Sequence, residues 1–146
     1  MEDREHGRVR GGSAAIILAA ALAIGGCGGG GSDSGGDPKA AVEGFAKAFG
    51  AGDGKQACDL LTPAGRTAFL KRVRTLAGTN DCPTAIKRVH DAAGAQVTGA
   101  FASAKVSAVK VSGSTGTATL TAAGHSTTVR LAKEGGAWKL EGVPGI

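Results

Sequence analysis

The chain has no tyrosine, one tryptophan, four phenylalanines and one methionine among its 146 residues. With so few aromatic platforms, none interleaved with the basic residues, nucleic acid is not an expected partner. A folded core must instead be assembled from small and aliphatic side chains. No HExxH motif is present, and no Gly-Lys-Ser/Thr follows the glycine run. No serine sits in a Gly-x-Ser-x-Gly setting, and no carboxylates are paired for acid–base work. No catalytic residue, cofactor or metal site is therefore expected. Long apolar runs are missing too. Ala14 to Ile24 is only about eleven residues, whereas a helix that crosses the hydrocarbon layer needs roughly 20.

Ile24-Gly25-Gly26-Cys27 closes that apolar run. The two glycines leave the backbone open to a peptidase, as in other cleaved leaders. The segment resembles a bacterial lipoprotein signal and its lipobox. That resemblance implies cleavage before Cys27, a diacylglyceryl group on the Cys27 sulfur and a lipid anchor on the extracytoplasmic side of the cell membrane. Two acyl chains suffice where one does not, because each buried methylene adds about 0.8 kcal/mol and a single chain binds only marginally. The leader departs from the usual pattern at its start. Glu2, Asp3 and Glu5 offset Arg4, Arg8 and Arg10, while such leaders are ordinarily basic; initiation at Val9 would remove the departure. An ordinary secretory leader, with Cys27 a plain thiol, is the alternative. The expected organisation is a signal peptide over 1–26, the lipidated cysteine with a Gly/Ser linker over 27–36, and one domain over 37–146. Gly28 to Gly36 carries no apolar side chain, and a flexible chain of that length reaches roughly 17 Å.

With Cys27 acylated, Cys58 and Cys82 remain as an even pair in an exported chain, where disulfides persist. A Cys58–Cys82 bridge is expected; two free buried thiols are the alternative, and a metal site lacks further ligands at suitable spacing.

The leader is charge-balanced, so the whole net charge of +5 belongs to the mature chain. It is concentrated between Thr62 and His90, where Arg66, Lys71, Arg72, Arg74, Lys87 and Arg88 face a single acid, Asp81. Such a stretch suits contact with anionic lipid or an anionic envelope polymer, although basic helix faces are commonly just solvated. His90 and Asp91 are neighbours on a helix, and adjacent helical side chains do not face each other. They are expected to diverge. His125 is expected in a turn.

Helix signals fill the first half of the domain. Asp37-Pro38 reads as N-cap and first helical residue, with Val42, Phe45 and Phe49 on one face and Gly50 to Gly52 ending the helix. Asp53 with Gln56 starts a short helix through Leu61 that turns Cys58, Leu60 and Leu61 inward. Thr62-Pro63 starts a third, with Phe69, Val73 and Leu76 on one face, ending near Gly78. A fourth runs from Cys82-Pro83 to about Ala92 with Ile86 and Val89 inward. The period then changes to two. Lys105 to Val111 reads as a strand of doubtful register, because Val106 and Val109 fall on opposite faces. Thr117 to Ala123, Thr127 to Ala132 and Ala137 to Val143 alternate clearly, with Gly113-Ser114, Gly124-His125 and Gly135-Gly136 as the tight turns. Helices followed by a strand meander define an α+β domain, its helices packed on one face of an antiparallel sheet of three to four strands.

The first helix with Val42, Phe45 and Phe49, the Gly52-Asp53 turn, the helix Ala57-Cys58-Asp59-Leu60-Leu61, a second cysteine opening a later helix, and a last strand with Trp138-Lys139-Leu140 together resemble small actinobacterial lipoproteins. Those are similar to the nuclear-transport-factor-2-like superfamily, which also includes ketosteroid isomerases. The resemblance covers Asp37 to Val143. It implies a cone-like fold in which a curved sheet wraps a helix and leaves a pocket at the open end, with Phe45, Phe49, Leu120, Val129 and Trp138 as the expected pocket wall. It transfers no catalytic residue, since the only strand carboxylate, Glu141, points away from the core. The expected function is a non-enzymatic, membrane-anchored envelope lipoprotein that binds a small apolar ligand or an envelope protein. A module whose basic helices contact anionic material is the alternative, and an isomerase- or cyclase-like enzyme a more distant one.

Overall fold

A computed structural model describes residues 36–145. Cys27, the leader and the linker up to residue 35 lie outside the described residues. The architecture is α+β: four helices packed against an open four-stranded antiparallel sheet. The helices are α1 (Pro38–Gly50), α2 (Gly54–Asp59), α3 (Pro63–Ala77) and α4 (Cys82–Ala102); the strands are β1 (Lys105–Ser112), β2 (Thr115–Ala122), β3 (His125–Glu134) and β4 (Ala137–Leu140). The sheet is a plain meander, ordered β1-β2-β3-β4.

Each helix starts where a side chain can take up a free backbone N–H. Asp37 accepts from Lys39 N, Asp53 from Gln56 N, Thr62 from Gly65 N and Asp81 from Thr84 N. Proline follows the cap at once in α1 and α3 and comes second in α4, where its missing N–H costs nothing. Gly78 ends α3 in the left-handed conformation, its N–H bonded to Arg74 O.

α1 is the central helix. It buries Val42, Phe45 and Phe49 almost completely and packs on α2 and α4 and on β1, β2 and β4. The sheet meets it with Ala118, Leu120, Val129, Leu131, Trp138 and Leu140, all buried. One covalent link ties helix to helix and one backbone link ties the helices to the sheet. A disulfide joins Cys58 in α2 to Cys82 at the start of α4. The α2–α3 connection lies parallel to β4, with Leu140 N donating to Leu60 O (2.8 Å) and Thr62 N to Leu140 O (2.9 Å). These seams are closed to the point where a methyl group does not fit. A Cβ on Gly54 would lie 2.1 Å from Pro83 O, and one on Gly65 would lie 2.9 Å from Leu140 O.

Four expectations are corrected. α4 continues to Ala102 rather than ending near Ala92, interrupted at Gly94, whose φ of 79° and ψ of 164° break the helix and let it resume. Leu76 is 60% exposed; the buried stripe of α3 is Phe69, Val73 and Ala77, spaced by four, and Leu76 lies beside it. The middle hairpin turns on Ala123-Gly124, because Ala122 pairs with His125. Both central residues have positive φ, 50° and 78°, as a type I′ turn requires. β4 ends at Leu140 rather than Val143.

The doubtful register of β1 also has its cause. A bulge between Ser107 and Lys110, with Ala108 at φ 48°, inserts one residue. Val106 is therefore buried and Val109 packs against the same core, although their spacing is odd.

Candidate functional site

At the β2–β3 end of the sheet the helical layer does not close over the strands. α4 packs on α1, α2 and α3, and its second segment, after the Gly94 break, stands over the hairpin rather than on it. The space between is an apolar cavity of about 370 Å³. Its floor is Phe49, Val89 and Leu120, which are buried. Ala93, Val97, Ala100 and Phe101 of α4 form one wall, Ala122, Ala123, His125 and Thr127 the other, and Pro144-Gly145 close one side. The Phe49 and Phe101 rings meet at 4.9 Å between centroids, which fixes the inner end. Val97 is 43% exposed, and with the exposed Ala123 and His125 it forms the rim.

No lysine, arginine, aspartate or glutamate lines this cavity. Its ionisable group is His125, on the first residue of β3 at the rim. The cavity therefore offers an apolar lining with a hydroxyl and an imidazole at the edge, the usual make-up of a small-molecule site. Among the described residues no cluster of three histidine, cysteine or acidic side chains is placed to hold a metal ion.

Of the five side chains expected along a pocket wall, Phe49 and Leu120 line the cavity. Phe45, Val129 and Trp138 are in the packed core instead. Trp138 sits at the far end, with its ring 3.4 Å from where a Cβ on Gly116 would lie and the Lys133 ammonium 6.0 Å from its centroid. Val89, Val97 and Phe101 on α4 were not foreseen as lining. Their i, i+4 pairing of Val97 with Phe101 was the available signal, hidden because Gly94 reads as the end of a helix.

His90 and Asp91, expected to diverge, are 3.0 Å apart at Nδ1 and Oδ1. The carboxylate swings across the helix surface to reach the ring edge. His90 Nε2 lies 3.3 Å from the Gly50 carbonyl at the end of α1, and the ring stands edge-on to Phe49. Nε2 thus joins α4 to α1 while Nδ1 meets Asp91 on α4 itself, and the ring is outside the cavity lining. The His90 hydrogen bond, followed by that from Lys87, holds the Asp91 carboxyl below its ordinary pKa.

The six basic residues between Thr62 and His90 do not form one free surface. Arg66 Nε donates to Cys58 O at 2.7 Å and its guanidinium lies 3.9 Å from Asp59. Arg88 donates to the Ala77 carbonyl at the end of α3. Lys87 pairs with Asp91 at 3.0 Å. Lys71, Arg72 and Arg74 are exposed along α3.

The fold is thus an α+β meander domain with one end of its core left open. Comparison with protein-family models, curated proteins and solved structures returns no match.

Proposed function

We propose that the protein is a non-enzymatic bacterial envelope lipoprotein, anchored through Cys27, whose α+β domain holds a small apolar ligand in the cavity beneath α4. The observation that carries this reading is the cavity itself, about 370 Å³ and without a charged side chain in its lining. Such volumes fall in the range of small-molecule sites, which are lined mainly by apolar side chains with a few polar groups. The lipobox-like Ile24-Gly25-Gly26-Cys27 supports the anchor, and the Gly/Ser linker supports a domain held clear of the headgroups. The helices-then-meander order and the open end of the core are in keeping with the cone-like, nuclear-transport-factor-2-like resemblance. Catalysis is not part of the proposal, because the floor is hydrocarbon and the imidazole of His125 is at the rim with no acid beside it in the lining.

The test is the intact mass of the protein recovered from the membrane fraction, with and without reductant, together with mass spectrometry of its organic extract. A chain of residues 27–146 carrying a diacylglyceryl adduct, with an apolar compound in the extract that is absent after Ala100→Phe, is the expected result. A soluble chain without adduct removes the anchor, and an extract unchanged by Ala100→Phe removes the ligand site.

A further inference from the structure

We infer that the outer face of the sheet binds an acidic polysaccharide, in a groove on the opposite side of the strands from the cavity. The site does not depend on the apolar-ligand reading.

The alternation that turns Ala118, Leu120, Val129 and Leu131 inward turns Thr117, Thr119, Thr128 and Arg130 outward. The register then aligns one outward row across the sheet. Lys110 is opposite Thr117, and Thr117 is opposite Arg130. The Glu141 N–H continues the row by donating to the Arg130 carbonyl at 2.9 Å. Lys110 and Arg130 are exposed, and their backbones are two strand spacings, roughly 10 Å, apart. With Thr117, Glu141, and Ser112 and Thr115 of the next row, they line a groove of about 290 Å³. Among the described residues neither Lys110 nor Arg130 is in an ion pair.

The donor set defines the partner. Two such cations attract an anion, and the planar guanidinium of Arg130 matches a carboxylate or phosphate. Glu141 in the same lining argues against a plain anionic surface, which it would repel. An ionised carboxylate only accepts hydrogen bonds, so what it takes up beside the cations is a hydroxyl group, and the serine and threonine hydroxyls can give or accept in turn. Anions and hydroxyls on one molecule are the chemistry of an acidic sugar. Beyond the groove the outward rows continue as Ser107 with Thr119 and Thr128, then Lys105 with Thr121 and Ser126, so a chain running along the strands meets further hydroxyls and a further cation. The demands of the sheet itself do not account for the set. Threonine suits an outward strand position and Lys110 guards the free β1 edge, but Arg130 is on β3, which has a strand on each side and no edge to guard.

The experiment measures binding of the full chain carrying Cys27→Ser to alginate, a polymer of uronic acids, at low ionic strength, where exposed charges are least screened. Neutral dextran, polyphosphate and phosphatidylglycerol vesicles are run beside it. Alginate is expected to bind, dextran not to, and polyphosphate and the vesicles to bind at least about tenfold more weakly than alginate. Lys110→Ala with Arg130→Ala should weaken alginate binding about tenfold, the size of two exposed charge contacts. Lys71→Ala with Arg74→Ala on α3 removes the same charge elsewhere and should weaken it less than about twofold. Glu141→Gln should weaken alginate binding and strengthen that of polyphosphate, whereas charge attraction alone would strengthen both. All these side chains but Glu141 lie outside the cavity lining and all are exposed, so the melting temperature should hold in each variant. Absence of alginate binding, or an equal loss from the α3 pair, overturns the site. Polyphosphate or vesicles bound as tightly as alginate would make it an anion surface and not a polysaccharide site, and tighter alginate binding in Glu141→Gln would overturn the reading of sugar hydroxyls.

Discussion

The two ends of the inner sheet face are built on the same strands and differ in the size of what they carry. At the β4 end, Leu131, Trp138 and Leu140 share one core with Phe45 and Leu61, and all are buried. At the β2–β3 end, Leu120 and Phe49 lie beneath Ala93, Ala100, Ala122 and Ala123, and a cavity remains. What sets this pocket apart from the polar grooves elsewhere on the surface is its apolar lining, continuous with the core at Phe49, Val89 and Leu120. Alanine at four facing positions leaves the space that leucine or phenylalanine would fill. The Gly94 break then lets the second segment of α4 stand away from the hairpin instead of collapsing onto it. Openness here is a matter of side-chain volume and one helix break, on a scaffold whose opposite end shows how the same layers close.

That contrast can be broken most forcefully at the closed end. Phe45→Ala should lower the unfolding free energy by about 3–5 kcal/mol in denaturant titration, the ordinary result of emptying a packed aromatic site. Ala100→Phe, which adds a ring at the open end, should change it by less than about 1 kcal/mol. Comparable losses from the two would mean that the open end is packed as tightly as the closed one.

Reduction of the Cys58–Cys82 bridge comes next. It closes a loop of 24 residues' separation, and chain entropy assigns such a loop about 3.5 kcal/mol. The bridge staples α2 to the first segment of α4, so the loss should appear as a lowered melting temperature with the hairpin end retaining ligand until global unfolding. Release of bound Nile red well ahead of unfolding after reduction would show that the cavity depends on the staple directly.

Ala123→Gly sharpens the comparison in the opposite sense. Relief of the left-handed alanine should raise stability by roughly 0.5–1 kcal/mol, while removal of its methyl from the rim weakens binding of an apolar ligand severalfold. A variant that is both more stable and equally tight would separate the strain from the site.

The smallest effect is set by acid. The Asp81 carboxyl is held below its ordinary pKa by the Thr84 hydroxyl and backbone N–H, and that of Asp91 by His90 and then Lys87. A depressed carboxyl contributes stability that is fully present above its unfolded-state value near 3.9 and is lost as pH falls through the lower folded-state value. Melting temperature should therefore decline below about pH 4, and Asp81→Asn, which keeps the cap but not the titration, should reduce that decline. An unchanged acid limb in Asp81→Asn would place the sensitivity elsewhere.

Much of the domain was legible because its signals are local. Asp37-Pro38, Thr62-Pro63 and Asp81 before Cys82-Pro83 each mark a helix start through a side chain that satisfies a nearby N–H. Gly113-Ser114 and Gly135-Gly136 mark turns through positive φ at Gly113, Gly135 and Gly136. The α+β class followed from the change in period after α4. The Cys58–Cys82 pair was readable because the expected acylation of Cys27 leaves two cysteines as an even pair with no further ligands at metal-site spacing.

The cavity was only partly legible, because it is defined by what is missing from the space between distant segments. Phe49 and Leu120 were nameable as large apolar residues facing inward. Which of five such residues would lack a partner depended on α4 extending past Gly94, and a glycine in mid-helix reads as a stop. The β1 bulge was visible only as a conflict between Val106 and Val109, since a one-residue insertion reverses the alternation that follows it. The pairing of His90 with Asp91 escaped a rule about helix faces because a short carboxylate can bend to a ring edge its Cβ does not face.

The most direct test is a Nile red titration of the full chain carrying Cys27→Ser, repeated with Ala100→Phe. The account predicts saturable fluorescence enhancement with one dye per chain in the first. In the second it predicts loss of the enhancement while the melting temperature stays within a few degrees. Equal enhancement in both chains would place the dye outside the cavity and contradict the central claim.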